Sequence, residues 1–226
     1  MSSKEKKSPE VSEATEKATG SFVQENSKSL LLIGGAILAL ILLYIGYQKF
    51  YLAPRAEKAV NEMFKAEQYA TADSLSDKAI NGDGSYPGFE KIAQEYTSTK
   101  SANIANAYLG GLYLKKGEFE KAIEALGNYS STGSPVIDPL VLGMLGDAYS
   151  ELKDYDNAAT YYKKAAGKSN NEFTTPLFLK KLGLVYEQRK DFDAALKTYK
   201  QIKENYIKSA EAATIESLIA RVEAQQ

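Results

Sequence analysis

Between Leu30 and Tyr47 the chain runs 18 residues without a charge or a side-chain amide, and its only hydroxyls belong to the closing Tyr44 and Tyr47. A helix rises about 1.5 Å per residue, so such a run reaches roughly 27 Å and matches the apolar thickness of a bilayer. The stretch reads as one membrane-spanning helix that Phe50, Tyr51 and Leu52 can extend. A cleavable secretion signal has an apolar core of about 7 to 15 residues near the N-terminus, followed by a small-x-small cleavage site. Here 29 residues come first, and Gln48-Lys49-Phe50-Tyr51 follows. Tyr44, Tyr47 and Tyr51 gather at one end, where aromatic rings suit a headgroup boundary, and Lys28 and Lys49 bracket the run.

The remaining sequence is soluble in character, and its composition excludes several functions. Lys plus Arg number 28 against 29 Asp plus Glu, which leaves no basic excess for nucleic acid and no acidic excess for cations. Histidine and cysteine are both absent, which removes imidazole and thiolate metal ligands, Ser-His and Cys nucleophilic pairs, disulfides and a lipid-modified cysteine. No cofactor and no small-molecule substrate is expected. Residues 1–21 are rich in Ser, Lys, Glu and Thr and read as a disordered tail, with the anchor helix occupying 22–52 and Phe22 and Val23 resting at the interface.

After Pro54 the apolar residues fall at helical spacing. Ala56, Ala59, Val60, Met63 and Phe64 make one stripe, expected to continue as a single helix to Ile80. Asn81-Gly82-Asp83-Gly84-Ser85 is a turn, Pro87 suits the first position of a new helix, and Phe89, Ile92, Ala93 and Tyr96 form its stripe. Residues 53–100 thus read as linking helices or a degenerate first repeat. No period-two alternation occurs, so the fold class is all-α.

One pattern then recurs three times. Leu109-Gly110-x-x-Tyr113, Leu145-Gly146-x-x-Tyr149 and Leu182-Gly183-x-x-Tyr186 are each followed nine residues later by an alanine, Ala122, Ala158 or Ala195. Four residues further on stand Leu126, Tyr162 and Tyr199, and between the two halves lie Phe119, Tyr155 and Phe192 after turns containing Gly117, Asp154 or Asp191. Three repeats occupy 101–206. Ile215, Leu218, Ile219 and Val222 then mark a capping helix within 207–226, whose polar outer face stops open-ended stacking.

The pattern resembles the tetratricopeptide repeat, in which Leu-Gly-x-x-Tyr lies on a first helix and Ala-x-x-x-aromatic on a second. Glycine lets the two helices approach, the tyrosine fills the gap, and the alanine leaves it room. Neither helix pair buries its apolar face alone, so neighbours stack into a solenoid. The chain departs from the pattern in having no tryptophan, its usual places being Asn106, Leu142 and Leu179, and the closing proline is displaced to Pro135. Long connectors, Gly127 to Asp138 and Gly167 to Thr175, stretch the period. The resemblance implies a peptide- or helix-binding groove lined by the first helices. Its register places Ala107, Gly111, Leu114 and Lys115 there from the first repeat, Gly143, Asp147, Ser150 and Glu151 from the second, and Lys180, Leu184, Glu187 and Gln188 from the third. That row is mixed and carries no lysine and asparagine series able to clamp a terminal carboxylate.

Nothing in the sequence assembles a catalytic site. Glu118 with Glu120 and Asp154 with Asp156 sit where acids cap helices and favour the dipole. The expectation is a binding scaffold and no enzyme. Glu25-Asn26-x-Lys28-x-Leu30 before a single span, a short helical link and the repeats, together with Ile92 to Leu126, resemble the YfgM-type ancillary subunits of the SecYEG translocon. That resemblance implies a bacterial inner-membrane protein with a cytoplasmic N-terminus and periplasmic repeats, partnered by Sec translocon subunits and a PpiD-type periplasmic chaperone in protein transport. Flanking charge points the other way, with Lys17 and Lys28 before the span against Lys49, Arg55, Lys58 and Lys65 after it. The alternative class is an envelope-organising structural scaffold in cell division or outer-membrane assembly.

Overall fold

The computed structural model describes residue 24 and residues 26–225. The tail assigned to residues 1–21, and the interfacial placement of Phe22 and Val23, lie outside the described residues. The chain divides into two compact units, one ending at Pro54 and one beginning at Arg55.

The described part of the first unit is helix α1, Ser27–Gly46, followed by a π-helical turn, Tyr47–Leu52, and no residue of either is buried. An 18-residue window here has a mean hydropathy of 2.5. Leu31, Leu32, Leu42 and Leu43 are all exposed. A helix apolar on every side has no wet face to offer, which is the pattern of a helix surrounded by lipid. It is long and apolar enough to cross a membrane. In the wider turn the Tyr47 and Tyr51 rings stack at 5.2 Å, and Gln48 Nε2 donates to the Tyr44 hydroxyl at 3.0 Å.

The regular elements of the second unit among the described residues are helices, apart from an isolated bridge between Gly82 and Pro87. Helix α2 covers Ala53–Ala70, α3 Ser76–Asn81, α4 Phe89–Glu95, α5 Lys100–Lys116 and α6 Phe119–Gly127. Then come α7 Ile137–Glu151, α8 Tyr155–Lys168, α9 Thr174–Gln188, α10 Phe192–Asn205 and α11 Ala212–Glu223. Each helix from α5 onward packs on the next, and α5 also touches α7 as α7 touches α9. This is the tetratricopeptide-like solenoid the repeats specify, and the long apolar helix precedes it in the sequence.

Two local expectations fail for identifiable reasons. The helix expected to run unbroken to Ile80 stops at Ala70, and a 3-10 turn, Asp73–Leu75, intervenes before α3. Thr71 Oγ1 donates to the Gln68 carbonyl at 2.8 Å and Ser76 Oγ to the Asp73 carbonyl at 2.8 Å, so short polar side chains compete with the helix for its backbone. Pro87 does not open α4, because it pairs with Gly82, and the helix begins at Phe89 after an extended Gly88. Asp83 organises this turn: its carboxylate accepts the Ser85 and Tyr86 N–H groups at 2.9 and 2.8 Å. The Tyr69 hydroxyl donates to it as well, and these bonds hold its pKa down at about 2.

The repeated motif is realised three times in one geometry. Built on Gly110, Gly146 or Gly183, a Cβ would meet Leu126 Cγ at 2.2 Å, Tyr162 Cδ1 at 2.6 Å or Tyr199 Cε1 at 2.2 Å. The glycine is thus a notch, and the residue four after the alanine fills it. Ala122, Ala158 and Ala195 have no exposed surface at all. Each first helix ends alike, with the carbonyl of Tyr113, Tyr149 or Tyr186 accepting the N–H five residues on at 2.9 Å. The residue between, Gly117, Lys153 or Lys190, takes a left-handed φ of 74°, 60° or 59°.

The apolar core is not continuous. One cluster joins α2–α6 through Met63, Phe89, Ile92, Leu109 and Tyr113 and reaches Ala148 of α7, and another joins α8–α11 through Tyr162, Phe178, Leu182, Tyr199 and Ile215. Between them lies a small seam of buried Leu126, Val141 and Leu145.

Candidate functional site

Residues spaced i, i+4, i+7 and i+11 share one helix face. On α5 these are Ile104, Tyr108, Gly111 and Lys115; on α7 Leu140, Met144, Asp147 and Glu151; on α9 Leu177, Lys181, Leu184 and Gln188. On α5 and α7 the first two positions are apolar, whereas on α9 the apolar Leu177 and Leu184 flank Lys181. Tyr108, Leu140 and Leu184 remain 38%, 39% and 37% exposed, and Ile104, Met144 and Leu177 are half-buried beside them. Partial burial, then the charge of Glu67 on α2, raises the Tyr108 pKa, so α2 borders the same face. Apolar surface of this kind, recurring on successive helices with a charged margin, is what a protein partner covers.

Toward the C-terminal ends of α7 and α9 lie two acids, Asp147 on the face and Glu187 bordering it, and both are cross-linked. Asp147 accepts the Tyr162 hydroxyl and Lys181 Nζ, both at 2.6 Å. Glu187 accepts the Tyr199 hydroxyl at 2.6 Å and is gripped by Arg221 through Nε at 3.0 Å and Nη2 at 2.7 Å. In both triads a second-helix tyrosine reaches back to an acid on its own first helix, and a cation from a later helix closes the set. Burial, then the Asp147 charge, pushes the Tyr162 pKa far up; burial, then the bond to Glu187, does the same to Tyr199. At the opposite end Lys115 and Lys116 hold Asp73 and Asp77 at 2.9 and 2.7 Å.

The sequence-assigned groove residues separate accordingly. Lys115, Glu151, Leu184 and Gln188 are exposed on this face. Asp147 is on it and Glu187 borders it, both committed to the triads, and Lys180 reaches Thr214 Oγ1 at 3.4 Å. Ser150 is half-buried, Ala107 packs on the seam, and Leu114 packs on the first core cluster. Gly111 faces Met144 Sδ, which a Cβ would approach to 3.5 Å. Gly143 is a correction: it is buried under the Phe178 ring, where a Cβ would lie 1.9 Å from Cε1, so it spaces two first helices and offers nothing to a partner. Sequence reasoning missed Tyr108, Leu140 and Met144, although the register held a signal, since Tyr108 and Met144 directly precede the motif leucine.

Of the carboxylates that begin second helices, Asp154 and Asp191 cap by accepting the N–H of Asn157 and Ala194. Glu118 does not cap and is held by Lys116 and Lys121 at 3.0 and 2.7 Å. A further acid escaped notice because its partners are backbone N–H groups and hydroxyls of an irregular connector. Asp138, 2% exposed, accepts the Tyr129 hydroxyl at 2.7 Å, the N–H groups of Thr132 and Gly133 at 2.9 Å, and the Ser131 hydroxyl, with Lys168 at 3.6 Å. Burial opposes its charge, but these donors outweigh it and hold the pKa well below the carboxylate range. The long connector is therefore folded around one buried anion.

Compared with known families, residues 143–210 match the tetratricopeptide repeat, a span from within α7 to just before α11. No curated protein matches the chain.

Proposed function

We propose that the protein is a non-catalytic scaffold, held in a bacterial inner membrane by α1, that docks protein partners on the first-helix face of its repeats. Its position is beside the SecYEG channel, where with a PpiD-type chaperone it assists exported chains on the periplasmic side. Tetratricopeptide repeats generally mediate protein–protein interaction, and the observation that carries the reading is the row of exposed Tyr108, Leu140 and Leu184 on successive first helices. The span supplies the tether, and the charged triads at the row's margin supply register more than affinity.

The test places a photocrosslinking amino acid at Leu184 in living cells, while a single cysteine at exposed Lys208, in a chain otherwise lacking cysteine, reports topology with a membrane-impermeant maleimide. Labelling of intact cells and crosslinks to a channel subunit or anchored chaperone are expected, both crosslinks being lost with Tyr108→Glu or Leu140→Glu. Leu114→Glu is unsuitable, because Leu114 belongs to the core. Labelling only after lysis overturns the export role. Crosslinks to division or outer-membrane assembly proteins instead establish the envelope-organising alternative.

A further inference from the structure

The second helices differ in length: α4 and α6 have 7 and 9 residues, α8 and α10 have 14 each. A cleft of about 1200 Å³ opens between α4, α5, α6 and the connector 128–132, with Ala102 and Leu109 of α5 buried at its floor and Asn103 and Asn106 half-buried beside them. Small-molecule pockets run to roughly 300–1,000 Å³, so this one has room for a longer ligand. Glu90, Lys100, Lys121 and Glu124 line it with balanced charge, and Ala102, Leu109 and Ile137 give it apolar walls.

Its most informative feature is a set of carboxamides. Asn103 binds one peptide unit at both ends: Oδ1 accepts the Ser130 N–H at 2.7 Å and Nδ2 donates to the Ser130 carbonyl at 2.8 Å. One turn along the same helix Asn106 also lines the cleft, as do Gln94 and Asn128, and none of these three side chains has a hydrogen-bond partner among the described residues. In the register of Asn106 the other repeats carry Leu142 and Leu179, both packed into the second core cluster. The first repeat thus carries a half-buried amide beside the cleft where its sister repeats carry a leucine packed on the core.

We propose that this cleft is a second binding site, separate from the first-helix face, that takes an extended, uncharged peptide segment of another protein. Asn106 pairs with a backbone N–H and C=O of that segment as Asn103 pairs with Ser130, and Asn128 and Gln94 serve neighbouring peptide units. Recognition through the backbone makes the site tolerant of sequence, and the balanced lining charge gives it no preference for acidic or basic segments.

The experiment uses the full chain in nanodiscs and fluorescence anisotropy of a labelled ten-residue peptide of alternating Thr and Val, beside the same peptide N-methylated at every second residue. Saturable binding of the first peptide is expected, at least tenfold weaker for Asn106→Leu and for Asn128→Ala and absent for the N-methylated probe. Asn106→Leu installs the residue its sister repeats already hold, and exposed Asn128→Ala removes no folded contact, so thermal melts of both should match the parent. The proposal fails if the parent does not bind, if the N-methylated peptide binds equally well, or if Tyr108→Glu abolishes binding while the asparagine variants leave it intact.

Discussion

The first repeat and the two that follow share a backbone but not a method of locking it. In α5–α6 the glycine notch is filled by Leu126, whose side chain ends in methyl groups. In α7–α8 and α9–α10 it is filled by Tyr162 and Tyr199, whose hydroxyls reach Asp147 and Glu187 and, through them, Lys181 and Arg221. The left-handed turn residue is glycine in the first case and lysine in the others. The later repeats are therefore bound to their successors by directional bonds, whereas the first meets the second through apolar contacts, the seam and Ala148, and through the connector between α6 and α7. One motif can carry both solutions because the notch requires size and shape at that position and is indifferent to a hydroxyl beyond it.

The strongest way to break this comparison is Leu126→Ala. Leu126 is 1% exposed and sits on the seam, so truncation opens a cavity worth about 3 kcal/mol. Urea unfolding should then resolve into two steps, with hydrogen exchange showing α5–α6 opening before α8–α11. A single step at reduced midpoint would show that the two cores are one cooperative unit and remove the distinction.

A smaller effect, about 2 kcal/mol, is expected from Asp138→Asn, which keeps the shape of the connector between the regions and removes the charge its donors solvate. The folded pKa of Asp138 lies below the ordinary value of about 4, so its stabilisation is complete above that value and is lost as pH falls through the depressed one. The difference between parent and variant midpoints should hold from neutral pH down to about 5 and shrink steadily below 4. A difference independent of pH would assign the loss to shape alone.

The smallest change sharpens the comparison. Lys190 holds a left-handed φ that glycine adopts freely in the first repeat, so Lys190→Gly should raise stability by roughly 0.5 kcal/mol once the extra freedom of the unfolded chain is deducted. Differential scanning calorimetry resolves this as a shift of a degree or two, and a lowered Tm would mean the lysine is not strained.

The recurrence of Leu-Gly-x-x-Tyr and Ala was legible because notch, filler and gap depend on side-chain volume, which the sequence states directly. The apolar span was legible for the same reason, since a helix solvated by lipid advertises itself residue by residue. Asp138 was not, because its partners are mostly backbone N–H groups and neighbouring hydroxyls of an irregular connector. Gly143 was misplaced because groove register was counted along one helix, while its burial is decided by Phe178 on another. The cleft was invisible too: it opens between α4, α5, α6 and the connector 128–132, which only tertiary contacts bring together.

The triads also give the repeat array a direction. Each acid is clamped from the C-terminal side, so damage at the last helix is felt backward: losing Arg221 frees Glu187, which loosens Tyr199 in its notch. The N-terminal helices are joined among themselves by separate bonds, Tyr96 to Glu62 and Lys115 and Lys116 to Asp73 and Asp77. A trimmed C-terminus is therefore felt upstream, through Glu187 and Tyr199, in a repeat that the cut itself leaves intact.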